Sequence, residues 1–200
     1  MGPQLKLDLP EWGGKRKGSG RPRTRPHPGL VGPGVPHLPR PALNPRHPVH
    51  VTLRVQPGIG YLRAQRRARI LLEAFRAANE RDGMQVVDYV VLGNHLHLIV
   101  EAEGQQALSR GMQRLLIRIA MRLNSLQNRR GGVFADRYHA HILRTPRETA
   151  RAVRYLRDNY RKHTYEHVAP EWHDELCRRI ARPWTWLLKT APPPGGPRLD

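Results

Sequence analysis

The chain has 200 residues, enough for one domain with long tails and too few for two of ordinary size. Hydrophobic residues make up only 38%, and 19 prolines with 18 glycines push part of the chain away from a packed core. Formal net charge is +19, from 35 Lys+Arg against 16 Asp+Glu, which argues for a polyanionic partner. Lys occurs only at Lys6, Lys15, Lys17, Lys162 and Lys189, so the other basic residues are Arg, whose guanidinium grips phosphate oxygens bidentately. A high-GC codon bias accounts for part of that ratio but not for the shortage of acids.

The single Cys177 has no partner within the chain, which fits a reducing compartment and excludes a disulfide scaffold. No run reaches the roughly 18 apolar residues of a membrane span, and the N-terminus lacks the apolar stretch of a secretory signal. The expectation is a cytoplasmic, nucleoid-associated protein with no membrane partner.

Residues 1–48 hold 11 of the 19 prolines and 8 of the 18 glycines, with nine bases against Asp8 and Glu11. Such a segment buries too little apolar surface to offset its ordering entropy and reads as a disordered basic arm. Within it, Gly18-Ser19-Gly20-Arg21-Pro22-Arg23 resembles the core of an AT-hook, a peptide that enters a narrow minor groove, with Arg21 and Arg23 as its contacts. A plain electrostatic tether is the simpler alternative.

Order begins near Pro48. Val49-His50-Val51-Thr52-Leu53-Arg54-Val55 alternates apolar and polar residues and predicts a half-buried strand, ended by Pro57, Gly58 and Gly60. Residues 62–80 carry Leu62, Ile70, Leu71, Ala74, Phe75 and Ala78 at helical spacing, with Asp82-Gly83 closing the helix. Val86–Leu92 and His95–Glu101 predict two further strands, and Gly93-Asn94 between them is a hairpin signal. Residues 106–127 form a helix whose buried stripe is Leu108, Met112, Leu115, Ile119, Leu123 and Leu126. On another of its faces Arg110, Arg114, Arg118 and Arg122 recur every four residues, and cations stacked so repel unless an anion lies across them or solvent screens them. Arg137–Leu143 predicts a fourth strand. Thr145-Pro146-Arg147-Glu148 then reads as an N-cap, a proline in the first helical position and a capping-box Glu, opening a helix that runs to about Lys162.

The order β-α-β-β-α-β-α implies an α+β fold, a ferredoxin-like antiparallel sheet with helices packed on one side. Residues 107–162 carry 14 bases and the three acids Asp136, Glu148 and Asp158, so that half is expected to face the nucleic acid, Arg137 included. Three segments follow: an arm at 1–48, a folded domain at 49–165 and a C-terminal tail at 166–200.

Two side-chain sets bear chemistry. His95-Leu96-His97 lies on a strand, where side chains two apart share a face, so both imidazoles can meet one divalent ion. His139-Ala140-His141 has the same geometry, and spacing alone does not choose between them. Context favours the first pair: an apolar strand follows it, whereas Arg137 and Arg144 flank the second. Tyr155 and Asn159, four apart on the last helix, lie one above the other. A tyrosine hydroxyl attacks a phosphodiester when a metal polarises the phosphoryl oxygens, and an amide oxygen can complete the metal site. Equally, a tyrosine on an amphipathic helix is a rim residue.

Gly93-Asn94-His95-Leu96-His97, then Gly111-Met112-Gln113-Arg114-Leu115, Phe134-Ala135-Asp136-Arg137-Tyr138 and Arg154-Tyr155-Leu156-Arg157-Asp158-Asn159, taken together and in that order, resemble the single-tyrosine HUH transposases. Within these, the REP-associated tyrosine transposases of bacteria are the nearest branch. The resemblance covers roughly residues 48–163. It implies the HUH endonuclease fold and a metal-dependent nuclease and strand transferase acting on hairpin-forming single-stranded DNA. Tyr155 would be the nucleophile, forming a 5′-phosphotyrosine link; His95, His97 and Asn159 would hold Mg²⁺ or Mn²⁺; the partner would be single-stranded, hairpin-forming DNA, and the protein a monomer or a helix-swapped homodimer. The metal's identity comes from the resemblance, since imidazole ligands favour softer ions.

The stretch Arg118–Asn124 lacks the tyrosines many relatives carry. In the tail, Trp172, Trp184 and Trp186 either stack unpaired bases or cap the sheet edge, the second being preferred. His163, His167, His173 and Cys177 match no structural zinc spacing. The rival to an enzyme is a domesticated, non-cutting DNA- or RNA-binding protein of the same fold.

Overall fold

The computed structural model describes residues 41–79, 83–162 and 176–191; Arg21, Arg23, Trp172, His163, His167 and His173 lie outside the described residues. Strand β1 (Val49–Arg54) buries Val49, Val51 and Leu53 on one face and turns His50, Thr52 and Arg54 to the other. Helix α1 (Gln65–Ala78) buries Ala68, Leu71, Leu72, Ala74 and Phe75, a stripe at helical spacing. Strands β2 (Met84–Val91) and β3 (His95–Ala102) form the expected hairpin, the N–H of Leu92 donating to the His95 carbonyl at 3.0 Å across Gly93-Asn94. Helix α2 (Gln105–Leu126), strand β4 (His139–Ile142) and helix α3 (Pro146–Lys162) follow. The capping box forms: the Glu148 N–H donates to Thr145 Oγ1 at 3.2 Å and the Thr145 N–H to Glu148 Oε2 at 3.2 Å.

The sheet order is β4-β1-β3-β2-β5, every pair antiparallel, where β5 is Cys177–Arg179. The first four strands and two helices are the ferredoxin-like arrangement predicted from element order. Helices do not, however, stay on one side. α1 and α2 cover the face of Val51, Leu53, Leu96, Leu98 and Val100. α3 crosses to the opposite face, where Val153 and Leu156 pack with Val87, Val90 and Ile99. The reason lies in β2 and β3, which are buried on both faces along nearly their whole length and need cover on each. Burying an aliphatic side chain such as Leu156 contributes about 1.5–3 kcal/mol, and this second core fixes where α3 stands.

Residues 176–191, in the segment the sequence places outside the domain, join the sheet. β5 extends it beside β2, and a short helix, α4 (Trp186–Lys189), follows. Two carboxylates with no solvent exposure explain the docking. Asp88 receives Arg179 bidentately, Nε at 2.7 Å and Nη2 at 2.8 Å. Glu101 accepts from the Trp184 N–H, the Thr185 N–H and hydroxyl, and Gln85 Nε2, all within 2.8 Å. Buried carboxylates need such partners, and the last segment brings most of them. Trp184 and Trp186 are 46% and 65% exposed, and β5 pairs along the edge beside β2. Burial pushes the Cys177 thiol up to about 12, with the Asp88 charge adding to the effect, which leaves it inert rather than a metal ligand.

Candidate functional site

Alternation along β3 places His95, His97, Ile99 and Glu101 on the face that α3 partly covers. The register then decides their neighbours. Arg54, Thr52 and His50 of β1 stand opposite His95, His97 and Ile99, while His141 and His139 of β4 stand opposite His50 and Thr52. Residues directly opposite one another share a face, so both His-x-His pairs predicted from sequence belong to one surface. Depth separates them. His97 is buried, His50 and His95 are half-buried, and His139 and His141 are exposed.

α3 brings Tyr155 onto this surface. Its ring centroid lies 5.2 Å from that of His97 and 5.9 Å from that of His50, edge-on to both. The phenol is 47% exposed, open to a substrate on its outer side. Asn159 is half-buried one turn further along, with a buried Nδ2 that makes no hydrogen bond.

The hydrogen bonds around His97 orient it. Its Nδ1 lies 3.2 Å from His50 Nε2 and 3.1 Å from Thr52 Oγ1, whereas its Nε2 is buried with no hydrogen-bond partner. A buried N–H without an acceptor is costly, so the favoured tautomer carries its proton on Nδ1 and leaves a lone pair on Nε2. His95 follows the same logic: Nδ1 donates to Asn94 Oδ1 at 2.8 Å, which makes Nε2 the ring's acceptor. An imidazole ligand characteristically donates its second nitrogen's proton to a neighbouring acceptor, and these two rings are arranged in that way.

Desolvation, then the neighbouring His50 and His95, push His97 down to about 3, and burial with His141 and His139 takes His50 to about 4. Both rings are therefore neutral near pH 7, the form that binds a cation. Because each takes up a proton more readily unfolded, near 6.5, than folded, their contribution to stability is present above pH 6.5 and is lost as pH falls through the folded values. Thermal melts of the metal-free protein are expected to show Tm dropping below pH 6.5, with a shallower drop in the His50→Asn/His97→Asn double variant. A Tm flat or rising toward pH 5 contradicts this.

Among the described residues no group of three or more His, Cys, Asp or Glu side chains could hold a metal ion. The imidazole nitrogens His97 Nε2 and His95 Nε2, with the Tyr155 hydroxyl beside them, are a sparse donor set that fits an ion completing its shell with phosphate oxygens and water.

The predicted cationic contacts divide. The Ala135 N–H donates to the Arg54 carbonyl at 2.9 Å, so the run through half-buried Arg137 to β4 passes along the edge of β1. Arg110, Arg114, Arg118 and Arg122 are exposed on α2, in the layer on the other side of the sheet, and Arg122 is paired with Glu73 of α1. Residues 107–162 thus do not form one basic face. No motif singles out Thr52; the signal for it is the β1 alternation that puts it on one face with His50 and Arg54.

The profile of the family described as "Transposase IS200 like" matches residues 46–159. A solved structure described as a REP-associated tyrosine transposase bound to a REP hairpin is similar, with a TM-score of 0.53, 17% identity, 66% of this chain and 76% of that chain covered. That likeness agrees with the antiparallel α+β architecture. A second, described as a candidate transposase from Deinococcus radiodurans R1, has 16% identity over 61% of this chain and 92% of that chain, at a TM-score of 0.38. No curated protein matches the chain. No helix among the described residues is long and apolar enough to cross a membrane.

Proposed function

The chain belongs to the family of IS200-like transposases, and on that premise we propose that it is a single-strand DNA endonuclease and strand transferase for hairpin-forming DNA, working through a 5′-phosphotyrosine intermediate. The observation that carries this reading is the Tyr155 ring edge-on to His97, whose Nε2 is buried and without a hydrogen-bond partner. A pure binding protein has no use for that pairing.

Tyr155 Oη attacks the scissile phosphorus. The bond from tyrosine oxygen to phosphorus forms, the bond from phosphorus to the 3′ oxygen breaks, and a free 3′-hydroxyl leaves. Because the phosphodiester's energy is kept in the tyrosine ester, a second 3′-hydroxyl can reverse the step and join strands. Mg²⁺ or Mn²⁺, held by His95 and His97 with Asn159 as the third donor, would polarise the phosphoryl oxygens and neutralise charge in the transition state. Thr52 and His50 hold the His97 ring in the orientation this needs. Arg54, opposite His95 in the β1 register, supplies a cation for flanking phosphates, and Arg137 is assigned the same role. A monomer is proposed as the active unit. The hairpin is proposed by likeness to the solved relative, described as bound to one.

Arg110, Arg114 and Arg118 lie away from Tyr155 and are assigned to backbone phosphates only, with Arg21 and Arg23 in the same role on the arm. Each Arg→Ala change at 114 or 118 is expected to lower the salt slope of DNA affinity by about 1, while adduct formation at saturating DNA is unchanged. Loss of adduct at saturation would place α2 in the reacting site instead. The reading as a whole is tested with labelled hairpin DNA and Mn²⁺: a denaturation-resistant protein–DNA adduct is expected, and chelator removes it. Tight binding with no adduct would favour a non-cutting DNA-binding protein of this fold.

A further inference from the structure

Beside His95 a cavity of about 530 Å³ opens at the end of the sheet, lined by Arg54, Gln56, Tyr61, Asn94 and the backbone around Gly58 and Gly60. Its size is in the range of small-molecule sites. No carboxylate lines it, and Arg54, which stands opposite His95 in the β1–β3 register, gives it positive charge. The loop wall is built from Pro57, Gly58 and Gly60, the two glycines at φ +89° and +81°, so it presents main chain rather than side chains. Tyr61 is seated on Gly93: a Cβ there would come within 2.9 Å of Tyr61 Cε2. The amides are pre-set. Gln56 Nε2 donates to the Phe134 carbonyl at 3.3 Å, which leaves its oxygen as an acceptor, and Asn94 Oδ1 accepts from His95, which leaves its NH₂ as a donor.

Resting on the strand-cleavage reading, we infer that this cavity seats one unpaired nucleotide flanking the scissile phosphate, its base against Tyr61 and its edge read by Gln56 and Asn94. An aromatic ring with amide donors and acceptors is the equipment by which proteins hold a splayed-out base. The position beside His95 fixes which nucleotide: one adjoining the reacting phosphate rather than one in the hairpin stem. Arg54 meets the phosphate of that nucleotide. The protein thereby selects where it cuts, separately from how it holds the stem.

The test reads binding in EDTA, so its failure is distinct from a failure to cleave. Hairpins of one fixed stem, carrying four randomised unpaired nucleotides on one side or the other, are bound to the full chain and the retained pool is sequenced. Wild type is expected to enrich one base, at least about fivefold, at a single position; that is the lower end of what hydrogen-bond readout of a base edge discriminates. Tyr61→Leu and Gln56→Ala should flatten the enrichment and leave affinity for the bare stem within about twofold. Tyr61→Phe, which keeps the ring, should retain it, and Gly93→Ala, which displaces the ring, should weaken it. A flat wild-type pool, or an enrichment that survives Tyr61→Leu, overturns the assignment.

Discussion

Replacing His97 by alanine is expected to cut the rate of adduct formation by about 10³-fold, the equivalent of about 4 kcal/mol of barrier. His97 is the most buried histidine of the surface, and its Nε2 faces no partner. Loss of its imidazole removes a donor that no neighbour can replace, because His50 is engaged at its far side through the Nδ1 contact. The same change at His139 or His141, exposed on β4 but on the same face, is expected to leave the rate within a few-fold. Single-turnover time courses on denaturing gels measure both. Equal losses at His97 and His139 would mean that the two pairs act as one site, and equal indifference would remove His97 from the chemistry.

The second large effect falls on stability. Arg179→Ala leaves Asp88 fully buried without its bidentate partner. Burial already raises the Asp88 pKa even with the Arg179 guanidinium opposing it, so the carboxylate is poorly placed to stay charged alone. Removing one member of a buried pair costs about 3–5 kcal/mol, and denaturant unfolding of Arg179→Ala should show a loss of that order. Asp88→Asn on top of Arg179→Ala should recover part of it, since the uncompensated charge is gone. A loss under about 1 kcal/mol would show that β5 docks by apolar contact alone. Tyr155 and His97 lie in the other part of the face, so adduct formation by the folded fraction should persist.

Much of the architecture follows from signals of short range. Alternation in β1, the Gly93-Asn94 link and the Thr145–Glu148 capping box are local, and each appears where periodicity and turn chemistry predict it. What sequence order leaves undecided is which side of the sheet a helix takes. The apolar run Val86–Leu92, interrupted only by Asp88, is the residue-level sign that both faces are covered, and it moves α3 away from α1 and α2. That one placement brings Tyr155 onto the His97 face and carries the arginine ladder of α2 to the far side. Asp88 and Glu101 are silent in the sequence because a carboxylate inside a strand does not say what pairs with it; the answers lie more than eighty residues away, for Asp88 in a three-residue strand too short to show a period and for Glu101 at Trp184 and Thr185 just beyond it. Both His-x-His pairs were legible, but only register and depth rank them. The arm carrying Arg21 and Arg23 lies outside the described residues.

The account turns on a single atom, the phenolic oxygen of Tyr155. Protease digestion of the covalent protein–DNA species, followed by mass spectrometry of the nucleotide-bearing peptide, locates the linkage directly. The expected result is a 5′-phosphate esterified to Tyr155, absent in Tyr155→Phe. A linkage on any other residue, or an undiminished adduct in that variant, would contradict it.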